Sequence, residues 1–338
     1  MRAIMIGFGS VGQAFVEIIN KTPDLLRNRY GINLQIVAIV DRGGAMINSQ
    51  GIDLNQAISA RRSHGSVSSH NRLGHKGTTA LSVIDSVEAD VLLELTPTRL
   101  PEGEPGLTHI ETAIKKRLNV ITTNKGPIAA ALPSLLELAR YQKVNLKFSG
   151  TVGGGIPILT FAKKCLTGCK IESIEGILNG TTNYILTRML DAGITLDEAL
   201  KEAQTAGYAE ADPSYDINGL DTASKLVIMS NWILEKRVSI EDVDMEGISK
   251  VSVEEVKIAK RSRKAIKLIG RINDSEISVH PRAVSGDSPI CVKGTLNAVT
   301  FKTDLVGEIT MAGRGAGGTE TASAVLRDII DIKSALMQ

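Results

Sequence analysis

The sequence has 338 residues, of which 43% are hydrophobic, 22% are charged and only 3% are aromatic. This length exceeds the roughly 250–300 residues at which a single hydrophobic core usually stops growing, so we expect two domains with aliphatic interiors. Lys and Arg number 39 against 37 Asp and Glu, and the formal charge of +2 excludes a general electrostatic attraction to nucleic acid or to anionic membranes.

The first 150 residues alternate short apolar runs with helical patterns. Each apolar run is bounded by polar or turn-forming residues and predicts a strand, and the apolar positions between the runs follow helical spacing. Strands joined in this way are expected to be parallel, with right-handed crossovers. The fold class is therefore α/β, with a Rossmann-like doubly wound parallel sheet. The predicted strands cover residues 2–6, 34–40, 90–95 and 119–123, and the predicted helices begin near residues 11 and 107.

Residues 59–79 interrupt this alternation with a polar stretch rich in Gly, Ser and His. Such a composition predicts an exposed loop between elements. Its histidines, His64, His70 and His75, lack the close spacing and the cysteine or carboxylate neighbours of a structural zinc site. A solvated loop is therefore favoured over a metal site.

After residue 150 the alternation of strands and helices weakens and longer helical patterns appear. Thr195 and Glu198 have the spacing of a capping box, which predicts the start of an amphipathic helix. Short strand-like runs between residues 265 and 310 predict a sheet with helices on one face, so the second domain should be α+β. Further helices are predicted over about 217–234 and 319–332.

Three other features bear on compartment and partners. The N-terminal residues MRAIMIGFGSVGQAF carry glycines where a signal peptide needs an unbroken apolar stretch. No run reaches the roughly 18 apolar residues that cross a bilayer, and three cysteines are too few for a disulfide framework, so we expect a soluble cytoplasmic protein with no membrane partner. The basic stretch 257–267 has an apolar side and predicts a solvated helix face, with no nucleic-acid partner.

A glycine turn follows the first predicted strand and opens a helix. In this position GxGxxG allows the backbone to approach a pyrophosphate at the positive helix N-terminus, so dinucleotide binding is favoured over a merely structural turn. Ligands of open α/β sheets bind outside the carboxyl ends of the strands, so the strand ends at Gly7, Asp41, Thr96 and Lys125 should converge on one crevice. The predicted cofactor contacts in this half are Gly7, Phe8, Gly9, Ser10, Val11, Gly12, Asp41, Arg42, Thr96 and Lys125.

Asp41 and Arg42 make opposite predictions about the form of the dinucleotide. Asp41 can accept hydrogen bonds from a ribose 2′-hydroxyl, which favours NAD. Arg42 can pair with a 2′-phosphate and admit NADP. The cofactor form stays open at this stage, and both residues could also be plain turn and surface groups.

The second half carries a glycine loop and an acidic segment. The loop TVGGGIP, residues 151–157, predicts a binding loop for substrate, cofactor or cation, with a domain hinge as the alternative. The acidic segment runs from Gly207 to Lys225 and contains Glu210, Asp212, Asp216 and Asp221.

Carboxylates in this segment could hold a substrate ammonium group. Asp221 and Lys225 are four residues apart and share a helix face, and a lysine can move the proton that accompanies hydride transfer. A free lysine titrates near ~10.4, so this role needs partial burial or a second cation such as Lys125. The plainer interpretation is an acidic helix N-terminus with one surface ion pair.

The motifs GFGSVG, TTNKGP, TVGGGIP, GILNGTTNYIL and EADPSYDINGLDTASKL, in this order and spacing, resemble the homoserine dehydrogenase family over essentially the whole chain. The resemblance implies reversible oxidation of L-homoserine to L-aspartate 4-semialdehyde with NADP or NAD, in threonine and methionine biosynthesis. The chain ends at Gln338 without the C-terminal regulatory domain of many relatives, so feedback inhibition through such a domain is not expected.

The resemblance also implies roles for single residues. Lys225 looks like the acid/base lysine and Lys125 like a second active-site lysine. Gly317 resembles the point at which the C-terminus returns to the cofactor crevice. A monovalent cation, sodium, would be bound by the backbone at Val152 and Gly154, and the family is typically a homodimer. The predicted substrate contacts are Gly207, Glu210, Asp216 and Asp221.

The predicted organisation has a dinucleotide-binding and dimerisation part at 1–130 plus about 304–338, a dimerisation or linker segment at 131–150, and a catalytic substrate-binding domain at 151–303. Two other functions share some of these features. Another amino-acid dehydrogenase would share the nucleotide domain but not NGTTNYIL with the GLD…KL helix. A dinucleotide sensor without catalysis would share only the glycine turn.

Overall fold

The computed structural model describes residues 1–335, which form two compact units. The first consists of Met1–Gly154 and the chain from Gly317, and the second is Gly155–Ala316. The strands are β1 (Arg2–Ile6), β2 (Gln35–Asp41), β3 (Gly44–Ile47), β4 (Gly74–Lys76), β5 (Val91–Glu94), β6 (Asn119–Thr122), β7 (Leu146–Lys147), β8 (Ile171–Ile177), β9 (Asp244–Met245), β10 (Lys264–Ile272), β11 (Ile277–Ser285), β12 (Leu296–Thr303) and β13 (Gly307–Arg314).

The helices are α1 (Ser10–Lys21), α2 (Pro23–Tyr30), α3 (Leu54–His64), α4 (Ala80–Ser86), α5 (Gly106–Lys115), α6 (Lys125–Gln142), α7 (Ile158–Cys165), α8 (Gly180–Ala192), α9 (Leu196–Thr205), α10 (Ser214–Ile217), α11 (Leu220–Ile233), α12 (Val253–Arg261) and α13 (Gly318–Ala335). Short 3-10 turns cover Val67–Ser69, Ser149–Thr151 and Ile240–Asp242.

The first unit is built on a sheet of order β4-β3-β2-β1-β5-β6-β7. The strands from β2 to β7 in this order are parallel, which confirms the Rossmann-like prediction. The edge strands β3 and β4 are antiparallel additions that the sequence patterns did not reveal. The apolar runs of β1 and β5 are buried along nearly their whole length, as expected for parallel strands that are covered on both faces.

The C-terminal helix α13 belongs to the core of this first unit. Its apolar side chains Val325, Ile329 and Ile332 are fully buried in the same cluster as Phe15 of α1 and Met5 of β1. Burial of apolar surface on α1 and β1 therefore joins the end of the chain to its beginning.

Residues 59–79 do not form the predicted loop. They contain the end of α3, a 3-10 turn and β4. The carboxylate of Asp41 holds this segment, because it accepts hydrogen bonds from Ser66 Oγ at 2.6 Å and from the Val67 backbone N–H at 2.9 Å. The polar composition therefore reflects internal hydrogen bonds as well as exposure to solvent.

The second unit has a sheet of order β13-β12-β8-β10-β11-β9, as the α+β prediction requires. Its pairs are antiparallel except for β11 with β9. Helix α11 approaches β10 closely at Gly270, where a Cβ would stand 2.9 Å from Thr222 Cγ2 and 3.0 Å from Leu226 Cδ2. The absence of a side chain at Gly270 thus sets the position of α11 on the sheet.

The unit boundaries differ from the predicted domain boundaries. Strand β13 pairs with β12 in the second sheet, so the chain returns to the first unit at Gly317 and not at about residue 304. Residues 131–150 lie inside the first unit, where α6 continues through them and β7 pairs with β6. Of the predicted segment 304–338, residues 336–338 lie outside the described residues.

The basic stretch 257–267 is not one solvated helix face. Helix α12 ends within it and β10 begins, and Lys267 is only 1% exposed. The Lys267 ammonium donates to Asn183 Oδ1 at 2.6 Å, to Thr187 Oγ1 at 3.2 Å and to the Val292 carbonyl at 2.8 Å. Burial lowers the pKa of Lys267 to about 8.

Two further findings concern the described part of the chain. None of its helices combines the length and the apolar character that spanning a bilayer requires. Within residues 1–335 no group of three or more His, Cys, Asp or Glu side chains could hold a metal ion, and Cys165, Cys169 and Cys291 are free.

Candidate active site

The glycines of the turn after β1 are required for different reasons. Gly7 has φ +97°, and a Cβ there would stand 2.5 Å from the Leu95 carbonyl oxygen. A Cβ on Gly12 would stand 2.6 Å from the Gly7 carbonyl oxygen, whereas no atom of residues 1–335 lies within 4 Å of a Cβ on Gly9. Gly7 and Gly12 therefore allow the chain to pack on itself, and the open space at Gly9 suits the close approach of a ligand.

Helix α1 begins at this open position without a capping side chain. Gly9 occupies the N-cap and provides no side-chain hydrogen bond, so the first backbone N–H groups, from Ser10 and Val11, can bind an anion. Phe8 is buried in the core, so only its backbone can contribute to the predicted cofactor contact. These features fit the pyrophosphate of a dinucleotide.

The carboxylate of Asp41 already accepts hydrogen bonds within the protein. Its Oδ1 accepts from the Gly43 N–H at 2.9 Å and from Ser66 Oγ, and its Oδ2 accepts from the Val67 N–H. Its side chain is buried, and Arg61 Nη1 lies 3.7 Å from Oδ2. The Asp41 carboxylate thus already accepts three hydrogen bonds within the protein, while Arg42 is exposed.

A buried carboxylate that sequence analysis missed joins the ends of β5 and β6. Glu94 is fully buried and accepts from the Thr96 hydroxyl and, at 3.3 Å, from Thr122 Oγ1. Asn124 Nδ2 in turn donates to Thr96 Oγ1 at 3.1 Å. The signal was an acid at the end of the apolar run VLLE. Thr96 thus lies at the predicted strand end, but its hydroxyl is hydrogen-bonded to Glu94 and Asn124.

Lys125 occupies the first position of α6. Its backbone N–H donates to Thr98 Oγ1 at 3.2 Å, and the preceding Asn124 caps the helix by accepting from the Gly126 N–H at 3.0 Å. The loop that follows β5 therefore fixes the backbone from which the Lys125 side chain extends.

The glycine loop is anchored at its start by α13. Asp328 accepts from the Ser149 backbone N–H at 2.9 Å and from Ser149 Oγ at 2.5 Å. Burial raises the pKa of Asp328 to about 6. The boundary between the two units falls between Gly154 and Gly155, so the structure is consistent with a domain hinge as well as with a binding loop.

Gly317 begins the return of the chain to the first unit. Its φ of +128° is one that residues with a side chain rarely adopt. A Cβ on the next residue, Gly318, would stand 3.0 Å from the Ser10 carbonyl oxygen. The return therefore brings the N-terminus of α13 beside the N-terminus of α1, next to the glycine turn.

The second unit buries the predicted lysine and its carboxylate. Lys225 and Asp221 are each 6% exposed, and Lys225 Nζ donates to Asp221 Oδ2 at 2.6 Å and to the Leu178 carbonyl at 2.6 Å. Gly219, with φ +88°, is the N-cap of α11, and the spacing of four places both residues on one face of that helix. The alternative of a surface ion pair is wrong for this pair.

An asparagine that sequence analysis did not single out connects the carboxylates. Asn179 Nδ2 donates to Asp216 Oδ1 at 2.7 Å and to Asp221 Oδ2 at 2.9 Å. Burial and the charge of Asp221 raise the pKa of Asp216. Asn179 is the first residue of the motif NGTTNYIL. Sequence analysis identified this motif but could not predict the hydrogen-bond partners of Asn179.

Glu210 and Gly207 lie outside this hydrogen-bonded network. Glu210 is exposed, and within the described residues its carboxylate has no hydrogen-bond partner. Gly207 follows α9 with φ +75°, and in the part of the chain that the structure describes no atom lies within 4 Å of a Cβ at this position. Both positions face open space, where a ligand could reach them.

Comparisons with known proteins agree on one family. A family model described as "Homoserine dehydrogenase" matches residues 157–330, and one described as "Homoserine dehydrogenase, NAD binding domain" matches residues 7–149. The chain is 43% identical to a homoserine dehydrogenase of Methanocaldococcus jannaschii over 98% of both chains. It is 39% identical to an NAD(+)-dependent homoserine dehydrogenase of Pseudomonas canavaninivorans, over 97% of this chain and 95% of that one.

Solved structures give the same result. A crystal structure from Archaeoglobus fulgidus is similar with a TM-score of 0.91 at 38% identity, covering 98% of this chain and 99% of that one. A hyperthermophilic archaeal homoserine dehydrogenase in complex with NADPH is similar with a TM-score of 0.86 at 30% identity, covering 99% and 98%.

Proposed function

This chain belongs to the homoserine dehydrogenase family, and from that premise we propose that Lys225 is the acid/base residue of its reaction. The chain is an NAD(P)-dependent oxidoreductase that interconverts L-homoserine and L-aspartate 4-semialdehyde, in threonine and methionine biosynthesis. The observation that carries the proposal is the buried ammonium of Lys225, held between Asp221 and the Leu178 carbonyl.

The hydrogen bonds of Lys225 leave one N–H for the substrate. An ammonium group has three N–H donors, and Asp221 Oδ2 and the Leu178 carbonyl accept two of them. When bound, the nicotinamide supplies a hydride to the aldehyde carbon or accepts one from the alcohol carbon. In the reductive direction the third N–H of Lys225 gives its proton to the developing alkoxide, and in the oxidative direction neutral Lys225 takes the proton of the alcohol.

The remaining site residues are proposed on the resemblance and on exposure. Glu210 is an exposed carboxylate and is proposed to bind the substrate ammonium, with Gly207 leaving room for the ligand. Lys125 is proposed to stabilise negative charge on the substrate oxygen. Asp216 is proposed to act through the network that includes Asp221. The first unit is proposed as the dinucleotide domain and the second as the catalytic one.

We propose NADP as the preferred cofactor of this chain. The carboxylate of Asp41 is occupied by Gly43, Ser66 and Val67, which weakens the argument for NAD, and Arg42 is an exposed cation beside it. A charge-assisted contact with a 2′-phosphate contributes roughly 1.5–3 kcal/mol. Described relatives include an NAD(+)-dependent enzyme and one in complex with NADPH, so the preference is not set by the family.

Arg42→Ala should raise the KM for NADP by about 10- to 100-fold and change the KM for NAD little, because only NADP has the 2′-phosphate. Homoserine-dependent reduction of each cofactor is the measurement. Arg62→Ala is the matched control, since Arg62 pairs with Glu17 at 3.0 Å on the same unit. Equal losses with NAD and NADP would contradict the proposal.

A bound cation, a homodimer and a cytoplasmic location are further proposals. Support for the cation is the left-handed backbone at Gly153 and Gly154, with φ +82° and +52°, which changes the direction of the peptide groups that follow Val152. The dimer is supported by the resemblance, and the location by the three free cysteines. Light scattering should give about twice 36.1 kDa, and exchange of sodium for choline should lower activity without changing that mass. A monomeric mass would refute the dimer, and unchanged activity in choline would refute the bound cation. Activity outside the cytosolic fraction would refute the cytoplasmic location.

A further inference from the structure

We propose that Asn179 is a positioning residue for the acid–base centre, because its single side-chain amide holds Asp216 and Asp221 together and thereby sets the orientation of Lys225. This inference rests on the proposed role of Lys225. Asn179 acts through Asp221, because Asn179 and Lys225 both donate to Asp221 Oδ2 and Asn179 makes no hydrogen bond to Lys225 itself.

The contacts form one connected path. Asn179 Nδ2 donates to Asp216 Oδ1 at 2.7 Å and to Asp221 Oδ2 at 2.9 Å, so both of its N–H groups are used. The same Asp221 oxygen accepts from Lys225 Nζ at 2.6 Å. One carboxylate oxygen therefore receives both the amide and the ammonium, and movement of the amide changes the direction of the ion pair.

The other end of the Asn179 side chain has a separate, structural task. Its Oδ1 accepts from the Thr182 backbone N–H at 2.8 Å and caps α8. Capping needs only an oxygen acceptor, and Asp or Ser provides one as well as Asn does. The fold of α8 therefore explains the carbonyl end of Asn179 but not its amide end.

The amide end of Asn179 reduces the repulsion between two carboxylates. Asp216 and Asp221 are like charges in a largely buried place, where repulsion is weakly screened. The groups that oppose this repulsion are the Asn179 amide, the Thr181 hydroxyl and the charge of Lys225. Without the amide the two acids can share a proton, which weakens the contact between Asp221 and Lys225.

Asn179→Asp separates the two tasks of the side chain. The variant keeps an oxygen to cap α8, and it replaces the amide donor by a third carboxylate. We expect kcat to fall at least tenfold and the acidic limb of the pH profile of kcat/KM to move to higher pH by about one unit, because added negative charge favours the protonated form of Asp216. The dissociation constant of NADP(H) should not change.

Asn183→Asp is the matched control. Asn183 is a buried asparagine on the same helix, and its amide donates to the Val292 and Leu296 carbonyls. Its partner lysine is Lys267, not Lys225. This substitution should lower the unfolding temperature, but it should leave the pH profile in place.

Each outcome decides the proposal. An unshifted pH profile with wild-type kcat in Asn179→Asp would overturn it, because capping would then be the whole role of Asn179. If Asn179→Asp does not fold, Asn179→Ser supplies a capping oxygen without added charge and should show the same loss of kcat with only the acidic limb moved upward. Wild-type turnover in a Lys225 variant would instead refute the proposed function, which separates the two failures.

Discussion

Lys225→Met is expected to lower kcat by two to four orders of magnitude, the usual contribution of a positioned general acid–base group. The substitution retains most of the side-chain volume on α11 and removes the N–H that would donate to the substrate oxygen. The nucleotide-binding features lie in the other unit, so the dissociation constant of NADP(H) should stay within about twofold. Stopped-flow hydride transfer and fluorescence titration of the cofactor measure the two quantities.

Lys267→Met is the control for this change. Lys267 is another buried lysine of the second unit, and its ammonium is bound by Asn183, Thr187 and the Val292 carbonyl, with no carboxylate partner among residues 1–335. The control should lower the unfolding temperature and keep kcat within about tenfold. Parallel loss of turnover and cofactor binding in Lys225→Met would indicate a structural role for Lys225 and contradict the proposal.

Asp221→Ala is expected to have the second largest effect, on stability as well as on turnover. Removal of one partner of a buried ion pair costs roughly 3–5 kcal/mol, because the other charge is left without compensation. The substitution also removes the carboxylate that accepts from Lys225 Nζ and orients it, so proton transfer to the substrate in the reductive direction should slow. Thermal unfolding and kcat in that direction measure the two consequences.

The exposed pair Glu111 and Lys115 provides the comparison for Asp221→Ala. These residues have the same spacing of four on a helix and an Nζ to Oε2 distance of 3.3 Å, but their side chains are 41% and 61% exposed. Glu111→Ala should change stability by less than about 0.5 kcal/mol, because water screens the pair. Similar losses in the two variants would show that burial of the Asp221–Lys225 pair has little consequence.

Much of the first unit follows from local patterns. The predicted strands at 2–6, 34–40, 90–95 and 119–123 agree with β1, β2, β5 and β6 to within one or two residues. The capping box at Thr195 and Glu198 is present, with both reciprocal hydrogen bonds. Apolar periodicity, glycines with positive φ and capping side chains act over a few residues, so they can be identified without knowledge of the fold.

Other features were wrong or missed because they depend on distant parts of the chain. The hydrogen bonds that Ser66 and Val67, 25 and 26 residues away, donate to Asp41 were missed. Residues 257–267 had the composition of a solvated face, but the packing of α8 against β10 buries Lys267. Strand β13 was assigned to the wrong unit, because the sequence pattern of a strand does not identify the strand with which it pairs.

The sequence by itself determined the family resemblance, the glycine turn and the presence of Asp221 and Lys225 on one helix face. Only the tertiary structure decided that this pair is buried, that Leu178, 47 residues from Lys225, supplies its second acceptor, and that Asn179 connects it to Asp216. The physical reason is that helical spacing fixes which side chains share a face, whereas burial and long-range hydrogen bonds are set by the segments that pack against that face.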